Sequence, residues 1–313
     1  SDDRKRGAFR QLAANSSACN AVLANPLSGP LAALLPLKPL AVALTCFPFS
    51  TQANLPGAGT PAVPTPFPFN QVFNDNELIY TGKLTFKPTE NVNTYVSFTH
   101  GYKSGGFNLD PTAAAGGASP QFKSEKVDAY EAGIKTKFAD GKVTANLALF
   151  HQDLKDFQVL EFTGVQFVTF NVPKAKSTGV ELETFFRPTR NFSFNLSGTY
   201  TDARYPKNCA SGLPLTVAFQ TVRTLCGAQL TNAPKFVGIA GFDFTRDVGS
   251  NLEFGLNGSL RLESKRRTST QDVLVLAAGS ASPDPKSVPG GTAPNPFDIQ
   301  SGNAKVNLRA GIG

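Results

Sequence analysis

Methionine and tryptophan are both absent from the 313 residues. A complete reading frame begins with methionine, so the expectation is a processed, internal or truncated piece of a protein. Histidine occurs only as His100 and His151, both far in sequence from the four cysteines. None of the cysteines makes a C-x-x-C, so the spacing of a zinc site is missing. There is no Ser/His/Asp arrangement and no glycine-rich phosphate loop after a strand. Neither an enzyme nor a cofactor is expected. Charge is sparse at 17% of residues, and the formal net charge of +7 is spread rather than patched. The densest basic runs, Arg4-Lys5-Arg6 and Lys265-Arg266-Arg267, are short, so the footprint of a nucleic-acid binder is lacking. Long apolar runs are missing too. The best, Leu31–Phe47, is broken by Pro36, Lys38 and Pro39 and falls short of the ~20 residues a membrane helix needs. It is internal and has no cleavage-site pattern, so it is not a signal peptide. If this protein meets a membrane, it does so through strands.

What is present is turn chemistry and alternation. Glycine and proline number 28 and 23, which favours many turns over long helices. The stretch Lys174–Tyr205 reads as two strands joined by Pro188-Thr189-Arg190-Asn191. In its second strand Phe192, Phe194, Leu196, Gly198 and Tyr200 share one face, while Ser193, Asn195, Ser197 and Thr199 share the other. The same period recurs along the chain. Leu78, Tyr80, Leu84 and Phe86 alternate with polar residues, and so do Val92, Val96 and Phe98. Further on, Tyr130, Ala132, Ile134 and Phe138 are followed by Val143, Ala145, Leu147 and Leu149. Phe236, Ala240, Phe242 and Phe244 then lead to Leu252, Phe254, Leu256, Leu260 and Leu262, and Val306, Leu308, Ala310 and Ile312 close the series. Pro173 lies inside one strand, so irregular hydrogen bonding is expected there.

Residues 88–91, 139–142, 188–191 and 247–250 are tight turns, and the joins between them are long, apart from one near residue 164. In an antiparallel sheet that puts all tight turns at one end and all long loops at the other, the pattern of an outer-membrane β-barrel. The wet face carries Lys83, Glu131, Lys135, Glu181, Glu183, Asp243, Glu253, Arg261 and Glu263. Phe86, Phe138 and Phe186 recur beside the tight turns, where an interfacial girdle belongs. The expected fold is all-β: an antiparallel transmembrane β-barrel, partial, with about nine strands of a larger barrel and long extracellular loops. Residues 1–76 are expected to form a long irregular extracellular loop, with a short helix near Gly29–Leu35 or Leu40–Leu44. The barrel portion spans 77–313, with outer loops 103–124, 206–233 and 267–301. A soluble β-sandwich, with the same face in water, or a solenoid is the competing architecture.

Three motifs carry a resemblance to a family. GYKSGGFN at 101–108, KVDAYEAGIKTKFADGKVTANLALFHQDLKDFQV at 126–159 and NVPKAKSTGVELETFFRPTRNFSFNLSGTYTDARY at 171–205 resemble TonB-dependent outer-membrane receptors, in order and with matching turns. The opening SDDRKR is compatible with the outer end of an earlier strand. The family's N-terminal plug and its box for the energy-transducing partner have no counterpart here; the family barrel ends in an aromatic residue, whereas this sequence stops at Gly313 inside a strand, as expected of an interior portion of a larger barrel. The resemblance implies energy-dependent uptake of a bulky scarce solute such as a ferric siderophore, through a plug outside this chain. Its partners would be outer-membrane lipid, a TonB-type inner-membrane energy transducer and the small-molecule ligand, and its location the Gram-negative outer membrane. The alternatives are a passive outer-membrane porin and a soluble or surface β-rich binding module.

The candidate site residues are few. Cys19 with Cys46, and Cys209 with Cys226, each fall within one loop and suit two disulfides in an oxidising compartment, the alternative being free buried thiols. Lys265, Arg266 and Arg267 sit where strand meets outer loop, a place for contact with ligand or anionic lipid, or simply a solvated strand end. Glu131, Glu181 and Glu183 read as lumen residues rather than catalytic carboxylates. His100 and His151 read as strand-end residues at the interface. Gly105-Gly106 reads as a loop position needing positive φ.

Overall fold

The computed structural model describes residues 2–9, 17–25, 69–108, 121–162, 167–211, 222, 225–270, 272–274, 292–294 and 298–313. Asp2–Phe9 is β1, Ser17–Ala24 a short helix α1, and Phe69–Asn76 β2. Tyr80–Thr89 (β3) and Val92–Lys103 (β4) precede the short strands Gly106–Phe107 (β5) and Gln121–Phe122 (β6). Glu125–Phe138 (β7), Val143–Phe162 (β8), Phe167–Thr189 (β9) and Phe192–Arg204 (β10) follow, then Phe236–Asp247 (β11) and Glu253–Glu263 (β12). Arg266–Arg267 (β13), Asp272–Leu274 (β14), Thr292–Pro294 (β15) and Ile299–Gln300 (β16) are short loop strands before Asn303–Ile312, β17.

The long strands make one nine-stranded antiparallel sheet in the order β3-β4-β7-β8-β9-β10-β11-β12-β17. Each long strand thus pairs with the next long strand in the chain. The tight turns are where the sequence places them. At the β7–β8 turn Ala139, Asp140 and Gly141 take φ of 52°, 54° and 82°, the left-handed conformations that Asp-Gly tolerates best. Gly141 N–H donates to the Phe138 carbonyl at 3.2 Å and Lys142 N–H to that of Ala139 at 3.0 Å.

Cross-strand register aligns the alternation from strand to strand. Leu84, Val96, Ala132, Leu149, Val180 and Tyr200 form one continuous line across β3 to β10. One residue along, Tyr95, Gly133, Ala148, Glu181 and Thr199 form a line on the opposite face. The apolar line is open: Leu84 is 72% exposed, Val96 53%, Leu149 56%. Among the described residues, no second sheet covers it. Among the described residues, the buried apolar side chains are Val159, Val172, Ala175, Ala203, Tyr205, Cys209, Val222 and Leu225, all at the loop end. A single layer whose apolar face stays uncovered is a wall between lipid and a polar interior, not half of a sandwich.

Aromatic rings bound the apolar face at both ends. Phe138, Phe186 and Phe194 line up near the tight turns. Phe98, Tyr130 and His151 line up near the loops. From Phe138 to Tyr130 is about 27 Å along the strand before tilt, which suits an apolar band ~25 Å tall. His100 stacks on Tyr80 at 5.3 Å between ring centroids, and His151 lies 6.5 Å from the Tyr130 ring; both lie within β4 and β8 rather than at strand ends.

Residues 1–76 depart from the irregular loop expected of them. β1 and β2 form an antiparallel ribbon from Asp2↔Asn76 to Phe9↔Phe69. Arg4, Lys5 and Arg6 of β1 are all exposed. Three consecutive exposed charges give no alternation, so the period-two signal is missing from DDRKRGAF. α1 falls at Ser17–Ala24, and the helices expected near residues 29–35 or 40–44 lie outside the described residues. Loop 267–301 likewise holds two small paired segments, β13 with β16 and β14 with β15.

The two faces predict opposite tolerances. Leu147→Arg, on the open apolar face, should destabilise the folded barrel by about 2–4 kcal/mol in lipid. Asn146→Arg, one residue away on the polar face, should cost well under half of that. Urea unfolding of the intact protein in vesicles reads both, and equal costs contradict the assignment.

Candidate functional site

The long strands outrun the apolar band at one end only. β8 and β9 are 20 and 23 residues long, and their outer halves stand beyond the aromatic line. Pro173 interrupts their ladder as expected: Lys155↔Lys174 and Phe157↔Val172 pair, while Asp156 and Pro173 between them do not. Asp156 takes φ 50°, and its carbonyl accepts from Asn171 Nδ2 at 2.7 Å. Leu154 and Phe157 lie on opposite faces by count, yet both pack against the same buried cluster. The ladder breaks at this left-handed residue, and side chains of both parities around it join one cluster.

That cluster is a small core above the barrel wall. Val159, Val172 and Ala175 of the β8–β9 ribbon pack with Tyr205, Cys209, Val222 and Leu225 of the loop after β10. Cys209 and Cys226 are disulfide-bonded, with a Cα–Cα distance of 5.3 Å. The returning chain joins the sheet margin through a bridge between Arg204 and Gln229. Burial pushes the Tyr205 phenol well above its ordinary pKa, an effect partly offset by Arg267. Beside this core lies a hollow of about 450 Å³ bordered by Phe157, Val159, Tyr205, Leu230 and Thr270.

The GYKSGGFN segment ties the other loops to this ribbon. Gly105 is buried, and a Cβ there would sit 2.4 Å from the Phe122 carbonyl and 2.6 Å from the Phe73 ring. Its own carbonyl accepts from Lys5 Nζ at 2.8 Å. Gly105 and Gly106 are not among the residues of positive φ, so the expectation is corrected: close approach, not backbone handedness, excludes a side chain at Gly105. Asn108 acts as a two-pronged amide, donating to Thr169 O at 2.7 Å and accepting from Thr169 N at 2.8 Å. Gln158 Nε2 donates to Ser104 O at 2.9 Å and Lys123 O at 3.1 Å. Asn171 Oδ1 accepts from Lys123 N at 2.7 Å. These amides were not singled out from the sequence. Asn and Gln at loop ends carry no periodic signal, and the one available cue was the position of Asn108 at the close of the motif.

Below this vestibule the polar face supplies the wall. Tyr95 Oη donates to Glu131 Oε1 at 2.5 Å, and Lys83 Nζ sits 4.2 Å above the Tyr95 ring. The ring lies over Gly133, where a Cβ would approach it to 2.6 Å. Glu183 accepts from Asn146 at 3.5 Å. These contacts bind wall residues to one another, consistent with a lumen lining.

The basic run divides. Lys265 is exposed. Arg266 bonds Glu263 and, through Nε, Gln300 Oε1 at 3.1 Å. Arg267 is 5% exposed, so its side chain is withdrawn from lipid and solvent alike. Strand pairing of β13 with β16 sends successive side chains to opposite faces, which breaks the rim patch that the sequence suggested. Cys46 lies outside the described residues, and with it the expected bond to Cys19. At the junction of β2 and β3, Glu77 binds the Lys126 ammonium and His100 Nε2, the latter at 3.3 Å. The Lys126 hydrogen bond holds the Glu77 carboxyl below its ordinary pKa, opposed by partial desolvation.

A one-layer wall, apolar towards lipid and polar towards a lumen, with all its elaboration at one end, defines an outer-membrane β-barrel protein. A family model described as "TonB dependent receptor-like, beta-barrel" matches residues 50–312, and the chain belongs to that family. The pesticin receptor of Yersinia enterocolitica is 34% identical over 126 residues, 40% of this chain and 18% of that protein. A probable TonB-dependent siderophore receptor, PiuA, of Acinetobacter baumannii is 27% identical over 169 residues, 52% of this chain and 22% of that protein. The chain therefore spans about a fifth of the length of these relatives. The same fold occurs in the ferric yersiniabactin uptake receptor FyuA of Yersinia pestis, with a TM-score of 0.56 and 20% identity over 80% of this chain and 31% of that one. The family comprises receptors and transporters rather than enzymes, and its members lie in the Gram-negative outer membrane, which is where this chain belongs.

Two outcomes follow from the vestibule. Replacing Cys209 and Cys226 with alanine should cost the loop about 3 kcal/mol, by the length of chain the bond closes. Limited proteolysis should then cut within residues 206–233 at least tenfold faster while the barrel wall stays intact. Equal cutting rates contradict a loop held by this bond. Glu77, with its folded pKa depressed, adds stability that is fully present above the ordinary carboxylate pKa of 4.5. That stability is lost as pH falls through the lower folded value. Hydrogen exchange at residues 98–103, corrected for intrinsic rate, should therefore rise on acidification below about pH 4.5. The Glu77→Gln variant should show a smaller step, the remainder coming from Asp128, whose carboxyl His100 and Lys155 also hold below its ordinary pKa, and an unchanged step contradicts the assignment.

Proposed function

We propose that this chain forms part of the barrel wall of a receptor for energy-dependent uptake of a bulky, scarce solute of the ferric-siderophore class. The observation that carries the reading is the asymmetry of the wall. One end has two- to five-residue turns, and the other has a cross-tied vestibule with its own core, disulfide and amide clamps above a polar lumen face. A simple sieve has no need of so much ordered structure over its mouth. Capture of a large ligand does, because ordering loops in advance lowers the entropic cost of binding. The siderophore class is supported by the relative described as a probable siderophore receptor.

In this reading the vestibule captures the solute and a plug segment outside these residues gates the lumen. A TonB-type transducer of the inner membrane supplies the force through that plug. Polar wall groups such as Glu131, Glu181 and Glu183 face the plug and the passing solute. Outer-membrane lipid meets the apolar face.

Uptake in iron-limited cells carrying the intact receptor tests this. Radioactive iron delivered as a ferric siderophore should accumulate only when the receptor is present. Inactivating the transducer should reduce accumulation at least tenfold. Receptor-dependent accumulation that survives loss of the transducer points to a passive channel and contradicts the proposal.

A further inference from the structure

We infer that the outer surface of β8–β10, just above the apolar band, is a binding site for a phosphorylated lipid of the outer leaflet. The inference rests on the membrane placement of the wall and is independent of which solute the receptor takes up.

The first observation is an arrangement of like charge. Lys126, Lys155 and Lys174 stand side by side on β7, β8 and β9, in direct cross-strand register. The next line towards the band places Lys176 opposite Arg204. Like charges directly opposite each other destabilise a sheet, so the lysine line calls for offsetting anions, whereas the Lys176 line already includes Asp153 and Asp128. Some of these anions come from the protein. Lys126 binds Glu77, Lys155 binds Asp128 at 3.0 Å, and Arg204 Nε binds Asp202 at 2.7 Å. Asp153, across from Lys176, is engaged by His151 at 3.2 Å. Lys174 and Lys176 are exposed and have no carboxylate within ion-pair distance among the described residues. Two ammonium groups on one face, two residues apart on one strand, are therefore left for an external anion.

The second observation is what lies below them on the same face. Thr178 and Val180 lead down β9 to Leu182, and Asp202 and Tyr200 lead down β10 to Gly198 and Leu196. There the surface is hollowed by an apolar groove of about 210 Å³ lined by Leu182, Leu196, Phe236, Ala240, Leu260 and Leu262. From Lys176 to Leu182 is about 20 Å along the strand before tilt. That is the reach from a lipid phosphate into the middle of its own leaflet, half of a ~30 Å hydrocarbon core plus the headgroup zone. A free phosphate would use the lysines alone and leave the groove empty. A zwitterionic lipid would use the groove but bring its own cation to the lysines. An acylated, phosphate-bearing lipid satisfies both halves, with its phosphate on Lys174 and Lys176 and one acyl chain along the groove. Long side chains near an interface reach towards it readily.

Native mass spectrometry of the intact receptor, delipidated in detergent and titrated with lipid A, tests the inference. The wild type should retain one lipid A at least tenfold more tightly than the Lys174→Gln/Lys176→Gln variant. Dephosphorylated lipid A should bind both proteins equally weakly. Lys142→Gln, which removes one charge at the opposite end of the wall, should bind lipid A like the wild type. Ala240→Phe, which fills the groove and keeps the lysines, should weaken retention about threefold or more. The site is overturned if the double variant retains lipid A like the wild type. It is overturned equally if dephosphorylated lipid binds the wild type as tightly as lipid A, or if Ala240→Phe changes nothing. Binding of a ferric siderophore to the same preparations reports separately on the function proposed above.

Discussion

A peptide group in hydrocarbon has no water to bond with, and that constraint shapes everything else in this chain. Each strand must give its N–H and C=O groups to neighbours. The nine-stranded ladder meets that demand internally, and its two outer edges, on β3 and β17, have no partner strand among the described residues. Such edges in lipid are costly, so the wall is stable only as part of a closed surface. Once the ladder is fixed, alternation does the rest. Residues of one parity touch lipid and those of the other face the lumen. The register lines from Leu84 to Tyr200 show that the parity never slips across the spanning part.

The constraint lapses above the aromatic line, and the structure changes character there. Water can satisfy backbone groups, so strands no longer need continuous ladders. Pro173 and the left-handed Asp156 are admitted at the same point for that reason. What replaces the ladder is a set of individual ties: the Asn108 amide on Thr169, the Asn171 amide on Lys123, the buried Gly105 and the Cys209–Cys226 bond. The small core around Val172 and Leu225 then holds two loops together as a unit. The vestibule is in effect a small soluble domain built on a membrane wall, with the stabilising devices that small soluble domains use.

This division also explains what could be read in advance. Alternation through Phe192–Tyr200, the tight turns and the polar line through Glu181 and Glu183 were legible because the medium imposes a strict period of two. The pairing of Cys209 with Cys226 was legible because both fall in one loop. The β1–β2 ribbon was not, since the consecutive charges Arg4, Lys5 and Arg6 are all exposed and carry no alternation. The fate of Lys265-Arg266-Arg267 was hidden for a related reason. A basic run reads as a patch, but pairing of β13 with β16 turns its members apart and buries Arg267. The amide clamps depend on which loops meet, and that is decided by contacts far apart in sequence, such as Asn108 with Thr169.

The most direct measurement is the depth and side of single tryptophans, introduced into a chain that has none of its own. With tryptophan at Leu196 in one variant and at Ser197 in another, the intact receptor is placed in bilayers of lipid brominated on its acyl chains. The emission added at position 196 should be strongly quenched and that at 197 left bright, because adjacent residues look into different media. Quenching at 197 with none at 196, or at neither, would mean that the apolar face meets something other than lipid.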